Sequence, residues 1–362
     1  MTTASAPALR RVLTPLVDPA TFDFWAQKIN PLWSWDRVLA RVVQVERACE
    51  DAVSLVLQPN RHFRGFVAGQ HLNVSAQVAG RRTTRSYSFT RPPAADGRLH
   101  ITVKQVEGGR LSTYLCTQAR VGDVLEISQA FGSMTLALPP TADLCFLAAG
   151  SGITPLMALT RAWAQAGGST PLTLLYWART RAQLSFVNEL EQLAQQHPKF
   201  TLHTFTTHER DGMACPEHDT ITAELLQQHA PHLATSQVLA CGPGGFVQTA
   251  RSLSARALSF AGEGFTAPDL AADTKGPATV EVKLRTSQRT VTVATGVSLL
   301  EALEAAGLNP QHGCRMGVCH TCSCTRTSGT TQNLQNGALE SEEGMDVRLC
   351  VSRARTPLTL DL

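Results

Sequence analysis

Four cysteines in the last fifty residues carry the spacing that narrows the chemistry most. Cys314 and Cys319 enclose four residues, Cys319 and Cys322 enclose two, and Cys350 follows. Thiolates spaced in this way hold a [2Fe–2S] cluster, because two irons need two pairs of sulfurs, drawn from one tight loop and a clamp elsewhere in the chain. Gly313 and Gly317 let the backbone close round an inorganic core where a Cβ would crowd it. Arg315 can donate hydrogen bonds to the anionic centre. Zinc also suits four thiolates, but structural zinc sites usually pair short C-x2-C knuckles, which the 314–319 spacing is not. Cys324 falls outside the set and reads as a small buried residue.

Three further stretches could meet phosphate or a redox cofactor. Arg85-Ser86-Tyr87-Ser88 stands at a strand end. Gly109-Arg110-Leu111-Ser112 precedes a helical pattern over 113–119, so free backbone N–H groups would face an anion there. Gly150-Ser151-Gly152 follows an apolar strand and opens a helix, where a dinucleotide would lie. Plainer readings exist: a strand-end turn at 85–88 and a helix cap at Ser112, while the 150–152 turn lacks the full GxGxxG pattern; a further cysteine, Cys241, reads by itself as a core thiol.

The elements that must position these residues fall into blocks. Residues 1–36 form an arm whose first twenty residues are rich in Ala, Thr and Pro. Phe22, Phe24, Trp25, Trp33 and Trp35 follow closely, and Pro31 breaks any helix there. They suit packing on the next domain better than a membrane interface, since basic residues are sparse. Residues 37–138 alternate apolar and polar over Val38–Val45, Val53–Leu57, Leu72–Val78, Leu99–Val106 and Val124–Ser128, which predicts an antiparallel barrel or sandwich. Residues 139–261 change to strands at 144–149, 172–177, 200–205 and 238–241 with helices near 154–166 and 181–196, the pattern of a parallel α/β domain. Residues 262–278 read as a linker. Beyond it, 279–284 and 289–293 predict a hairpin, Ser298 with Glu301 a capping box, Gly307 a helix end, and 358–362 a last strand.

Composition sets the outer limits. The chain has 362 residues, room for two or three domains, and 43% of them are hydrophobic. A net charge of +3 argues against nucleic acid as a main partner. Four of the ten cysteines belong to the cluster pattern and the rest sit mostly in apolar or helical runs, as reduced cytoplasmic thiols do. No apolar run is long enough to span a membrane, and the first twenty residues lack a signal-peptide pattern.

From about residue 37 to 362 the sequence resembles the ferredoxin–NADP reductase superfamily. Arg85–Ser88 resembles its flavin motif RxYS[TS]. The resemblance implies that Tyr87 lies against the flavin, Ser88 hydrogen-bonds its reactive nitrogen and Arg85 pairs with its phosphates. Gly109, Arg110, Leu111 and Ser112 resemble the second flavin-phosphate segment. Gly150, Gly152, Thr154 and Pro155 fall in a segment resembling GxGITP for the nicotinamide nucleotide. Cys241, Gly242 and Pro243 resemble CGPxxM, with Phe246 where the family has Met; the resemblance puts Cys241 beside the nicotinamide. Ser88 and Cys241 are thus the expected catalytic pair. The order flavin, nucleotide, iron–sulfur is similar to phthalate-dioxygenase-type reductases and to flavodoxin-reductase-like partners of bacterial acyl-CoA desaturases. It implies a flavin-binding barrel, a nucleotide-binding α/β domain and a C-terminal β-grasp-like ferredoxin domain.

The expected activity is electron splitting: a hydride's two electrons pass to a flavin and leave singly through the cluster, Cys314, Cys319, Cys322 and Cys350, to an oxygenase. Arg85 with the 109–112 segment favours FAD, and FMN stays open. Arg179 and Arg181, with no acid nearby in sequence, favour NADPH over NADH. Phe265 is a candidate for the flavin's other face. A rocking ferredoxin domain on the 262–278 linker would serve inward and outward transfer. The acceptor expected is a membrane di-iron desaturase or hydroxylase, with peripheral membrane association through the arm; a soluble Rieske-type oxygenase fed by NADH is the alternative. A redox sensor and a diaphorase also stay in view.

Overall fold

The computed structural model describes residues 18–210, 212–214, 220–265, 277–313, 315, 317, 320–335 and 337–362. Residues 1–17 of the arm, residues 266–276 of the expected linker, and Cys314 and Cys319 lie outside these residues. The arm is not merely a run of aromatics. Asp18 caps a helix α1 (Pro19–Ile29) by accepting from the Thr21 N–H, and the helix ends before Pro31. Its Asp23 is buried and accepts from Ser34 Oγ, the Trp35 N–H and Arg37 Nε, so these donors hold its carboxyl below the usual range despite burial. Phe22 packs edge-on against Trp35. Phe24, Trp25, Ile29 and Trp33, by contrast, are exposed.

Among the described residues, six strands form the first sheet: β1 (Leu39–Cys49), β2 (Ala52–Pro59), β3 (His71–Val78), β4 (Arg81–Ser88), β5 (Leu99–Lys104) and β6 (Val124–Ile127), in the order β4-β3-β6-β1-β2-β5. All pairs are antiparallel, and a Phe89–Ile101 bridge joins the two edges. Leu55, Leu57, Leu72, Val74, Phe89 and Ile101 fill the interior, as strand alternation requires. Helix α2 (Arg110–Thr117) lies beside it and starts earlier than the apolar pattern suggested.

The next domain is a parallel sheet of β7 (Leu144–Ala149), β8 (Leu172–Ala178), β9 (Phe200–Thr206), β12 (Gln237–Gly242) and β13 (Ser259–Gly264), in the order β13-β12-β7-β8-β9; a small hairpin β10 (Glu209–Arg210) and β11 (Met213–Ala214) stands apart. Helices α3 (Ile153–Gln165), α4 (Val187–Gln196), α5 (Ala223–His229) and α6 (Gly244–Leu253) are its helical elements. The single helix expected over 181–196 is broken. Arg181–Gln183 is a 3-10 turn, buried Leu184 enters the core, the Ser185 N–H donates to Tyr176 Oη, and Phe186 at φ +62° restarts the helix. Strand β13 runs to Gly264, into the stretch read as linker; its Gly-rich sequence hides the strand period.

The two domains are riveted. Arg161 of α3, buried, donates to the Thr90 carbonyl and makes a two-point contact with Glu189. Cys49 meets Ser185 Oγ at 3.2 Å, and the Glu50 N–H donates to the Ala182 carbonyl.

The C-terminal sheet contains β14 (Thr279–Leu284), β15 (Arg289–Ala294), β16 (Ser323–Ser328), β19 (Met345–Arg348) and β21 (Leu358–Leu360), in the order β15-β14-β21-β16-β19. A smaller sheet holds β17 (Thr331–Asn333), β18 (Leu339–Glu340) and β20 (Ser352–Ala354). The expected hairpin is the β14–β15 pair, and β21 runs parallel to β14. Helix α7 (Leu299–Ala305) carries the expected capping box at Ser298 and Glu301, buries Leu299, Leu300 and Leu303, and is followed by Gly307 at φ +78°.

Candidate active site: a cleft where three domains meet

Strand β4 presents the first candidate segment. Its register sets Arg85 opposite Val74, Tyr87 opposite Leu72 and Ser88 opposite His71. Alternation sends Ser86 and Ser88 to one side and Arg85 and Tyr87 to the other. Ser86 Oγ donates to Asn73 Oδ1 at 2.6 Å, Ser88 is buried, and burial pushes the Tyr87 phenol up from its ordinary value. A phenol kept neutral in this way offers a flat, uncharged surface and a hydroxyl.

At the start of α2, Gly109 is the cap and the Thr113 N–H makes the first helical bond back to its carbonyl. The N–H groups of the first turn therefore point outward, with the positive end of the helix dipole behind them. Ser112 Oγ is occupied locally: it donates to the Gly109 carbonyl and accepts from the Val106 N–H. It braces the turn, while Arg110 and the backbone face the cleft.

The Gly150–Gly152 turn connects β7 to α3, with Gly150 at φ +54°. Gly152 is required by proximity, since a Cβ there would stand 1.9 Å from the Cys241 carbonyl oxygen. Two candidate segments distant in sequence are thereby pressed together. Thr154, buried, donates to the Ser151 carbonyl, and Pro155 fits the first turn, where no N–H partner is needed. Cys241 is fully buried, its thiol pushed well up by burial, and its Sγ lies 3.3 Å from Met134 Sδ. Pro243 caps α6, where Phe246 packs against Trp177. The Phe265 N–H donates to the Gly242 carbonyl.

One cleft of about 480 Å³, a size suited to a cofactor, collects part of these segments, while Gly150, Gly152, Pro155 and Cys241–Pro243 do not line it, Cys241 being fully buried behind the Gly152 turn. Arg85–Ser88, Arg110–Ser112, Ser151, Thr154 and Phe265 line it. Among the further lining residues, His71 and Glu263 were not marked by the sequence, Glu301 was marked only for its capping box and Arg315 only as a donor to the cluster. His71 and Glu263 face each other there at 3.7 Å, and burial pushes the Glu263 carboxyl up to about 7. Glu301 and Arg315 enter from the C-terminal domain. His71 had no signal beyond strand alternation, and Glu263 lay in the supposed linker.

A second, larger cleft of about 910 Å³ adjoins the first, sharing Arg85, Gly109, Arg110 and Arg315. Arg81, Arg82 and Thr84 form part of one wall and Asn309–Gly313 part of the other.

Arg179 and Arg181 stand apart from this cleft, at the end of β8. Both are exposed. Arg181 reaches Glu191 at 3.5 Å, and its N–H donates to the Glu209 carboxylate. The fold thus brings an acid to this turn that the local sequence lacks. Thr180 Oγ1 is buried, so it does not join the arginines at the surface.

In the C-terminal domain Cys322 and Cys350 are buried with their sulfurs 3.3 Å apart, close enough to ligate one metal atom. Gly317 is at φ +77°, a Cβ there would meet Val351 at 2.8 Å, and its carbonyl accepts from Arg348. A backbone drawn this tightly, next to two facing thiols, fits an iron–sulfur loop. Arg315, at φ +60°, is clamped by both carboxylate oxygens of Glu304 and by His312 and lines both clefts.

Family models match the chain in series: an oxidoreductase FAD-binding domain over residues 39–136, an oxidoreductase NAD-binding domain over 146–252 and a 2Fe-2S iron-sulfur cluster binding domain over 282–355. An "NADPH oxidoreductase" of Mycobacterium tuberculosis is 31% identical over 361 residues, 98% of this chain and 92% of that protein. The ferredoxin reductase component of 3-ketosteroid-9-alpha-monooxygenase from the same species is 32% identical over 318 residues, 82% of this chain and 84% of that one. Phthalate dioxygenase reductase has the same fold, with a TM-score of 0.60 at 24% identity, over 90% of this chain and 98% of that structure.

Proposed function

The chain belongs to the ferredoxin–NADP reductase superfamily, in the branch with a C-terminal [2Fe–2S] domain, and we propose that it draws electrons from NADPH and delivers them singly to a membrane di-iron desaturase or hydroxylase. It is an NAD(P)H-dependent ferredoxin-type oxidoreductase whose cofactors are FAD, a [2Fe–2S] cluster and a pyridine nucleotide. FAD supplies the conversion of a two-electron hydride into single electrons. The observation that carries the reading is the cleft in which Ser88 of the barrel, Thr154 of the nucleotide domain and Arg315 of the cluster domain converge.

The protein's own residues set the stage. Arg85, Arg110 and the first turn of α2 supply positive charge for the flavin phosphates. Tyr87 and Ser88 would orient the flavin ring, and Phe265, which lines the same cleft, would cover its other face. Gly152 and Cys241 bring the nicotinamide segment against them, and the buried walls exclude water. Cys314, Cys319, Cys322 and Cys350 hold the cluster.

NADPH is favoured by the exposed Arg179 and Arg181 and by the 31% identical relative, an NADPH oxidoreductase. A 2′-phosphate suits two guanidinium groups. The membrane acceptor is favoured by Phe24, Trp25, Ile29 and Trp33, exposed on or beside α1. Among the described residues no helix is long and apolar enough to cross a membrane. A soluble oxygenase as acceptor is the second reading, favoured by the relative named as a monooxygenase component.

Anaerobic titration tests the donor and the internal path. Flavin and iron–sulfur absorption should both bleach, faster with NADPH than with NADH, and Arg179→Ala should raise the KM for NADPH at least tenfold while leaving NADH nearly unchanged. Equal bleaching by both nucleotides would overturn the donor assignment. For the acceptor, a Trp25→Ser/Trp33→Ser double variant should keep NADPH-driven bleaching yet lose binding to vesicles bearing a di-iron desaturase; retained binding would remove the arm from the argument, and equal binding to vesicles with and without the desaturase would overturn the membrane acceptor.

A further inference from the structure

The first cleft, about 480 Å³, accounts for a flavin ring and its side chain, and the shared residues Arg85 and Arg110 for a phosphate at its exit. The second cleft, about 910 Å³, continues past that exit and has no role in the mechanism above. Its barrel wall is basic. Arg81 and Arg82 join Arg85 and Arg110, while the acids in its walls are neutralised: Glu126 by Arg82 at 2.6 Å, Glu304 by Arg315. The excess positive charge fits a diphosphate better than a monophosphate.

The opposite wall belongs to the ferredoxin domain and suits a nucleoside. Asn309 offers an amide, the group that pairs with both a donor and an acceptor on adenine. His312 Nδ1 faces the Pro310 carbonyl at 3.0 Å and Nε2 faces Arg315 at 3.0 Å, so both ring nitrogens are engaged and the ring has its faces left to offer a base. Arg315 sits in the left-handed region, a costly conformation for a non-glycine residue, and its carboxylate clamp holds it where the two clefts join.

We propose that the adenosine half of FAD is held between the barrel and the ferredoxin domain, with Asn309 and His312 on the base and Arg81, Arg85 and Arg110 toward the diphosphate. This rests on the FAD reading and deepens it. The ferredoxin domain then helps choose FAD over FMN, and FAD in turn fastens that domain in its docked position.

Hydrogen exchange on the full-length protein, stripped of flavin and reloaded with FAD or FMN, reads this directly. FAD should slow exchange of the 308–313 amides at least tenfold relative to FMN, while 85–88 is protected by both. Equal exchange at 308–313 with either flavin overturns the clamp and leaves flavin binding intact; no protection at 85–88 with either would overturn the flavin site itself. Asn309→Trp, which fills the cleft from the ferredoxin side, should raise the Kd for FAD tenfold or more and that for FMN less than twofold, by fluorescence titration. An unchanged FAD affinity, or equal loss for both flavins, overturns the proposal.

Discussion

His71 of the barrel and Glu263 of the nucleotide domain face each other at 3.7 Å across the first cleft. The pair ties the sheet that carries Ser88 to the strand that leads to Phe265. Burial raises the Glu263 carboxyl from 4.5 to about 7, so the folded protein holds a proton there that the unfolded chain releases. The contribution is complete below the unfolded value near 4.5 and is lost as pH rises through 7, a change of up to roughly 3 kcal/mol. Urea midpoints of the flavin-free protein should fall from pH 5 to pH 8, and Glu263→Gln should flatten that slope.

Gly152→Ala should be among the most damaging small substitutions. One methyl group would overlap the Cys241 carbonyl, and backbone on both sides must move. The expected loss is about 3 kcal/mol or more, seen as a lowered melting temperature of the nucleotide-domain transition and loss of NADPH-driven bleaching.

Cys350→Ser and Cys324→Ser should separate ligand from bystander. Cys350 faces Cys322, whereas Cys324 lies in β16 with its thiol pushed up to about 12 by burial. The first substitution should remove iron and the broad visible shoulder; the second should keep both. Chelation of the cluster should abolish transfer to the acceptor but leave flavin reduction by NADPH.

Arg161→Met should loosen the joint between the first two domains. It removes the donor to the Thr90 carbonyl and leaves the partly buried Glu189 carboxylate without its partner. A cost of about 3 kcal/mol is expected, read as earlier proteolysis between the two domains at unchanged [2Fe–2S] absorption.

The sequence was most legible where one physical signal dominated. The capping box at Ser298 and Glu301 and the β14–β15 hairpin appear where their local chemistry placed them. Strand β7 was legible as an unbroken apolar run. Legibility failed where long-range packing decides. Leu184 breaks a periodic helix because it is needed in the core, and Asp18 starts a helix in a stretch read as an irregular arm. At the site, Arg85–Ser88 and Gly150–Gly152 were marked by residue type, but their convergence with Arg315 depends on how three domains sit together. Glu209 reaches the Arg181 N–H only through the fold of the chain beyond β9.

Strand β21 is neither an edge nor an appendage: it lies between β14, to which it runs parallel, and β16. A ribosome therefore releases residues 313–322 well before the strand that completes the C-terminal sheet. Domains fold as units during synthesis, so the nascent chain must carry reactive, unassembled thiols past the exit while the FAD and nucleotide domains are already able to close. Iron–sulfur delivery to this protein is consequently a late step, taken by a chain whose upstream electron path is already built, and removing residues 358–360 should leave a stable yellow flavoprotein that never turns brown.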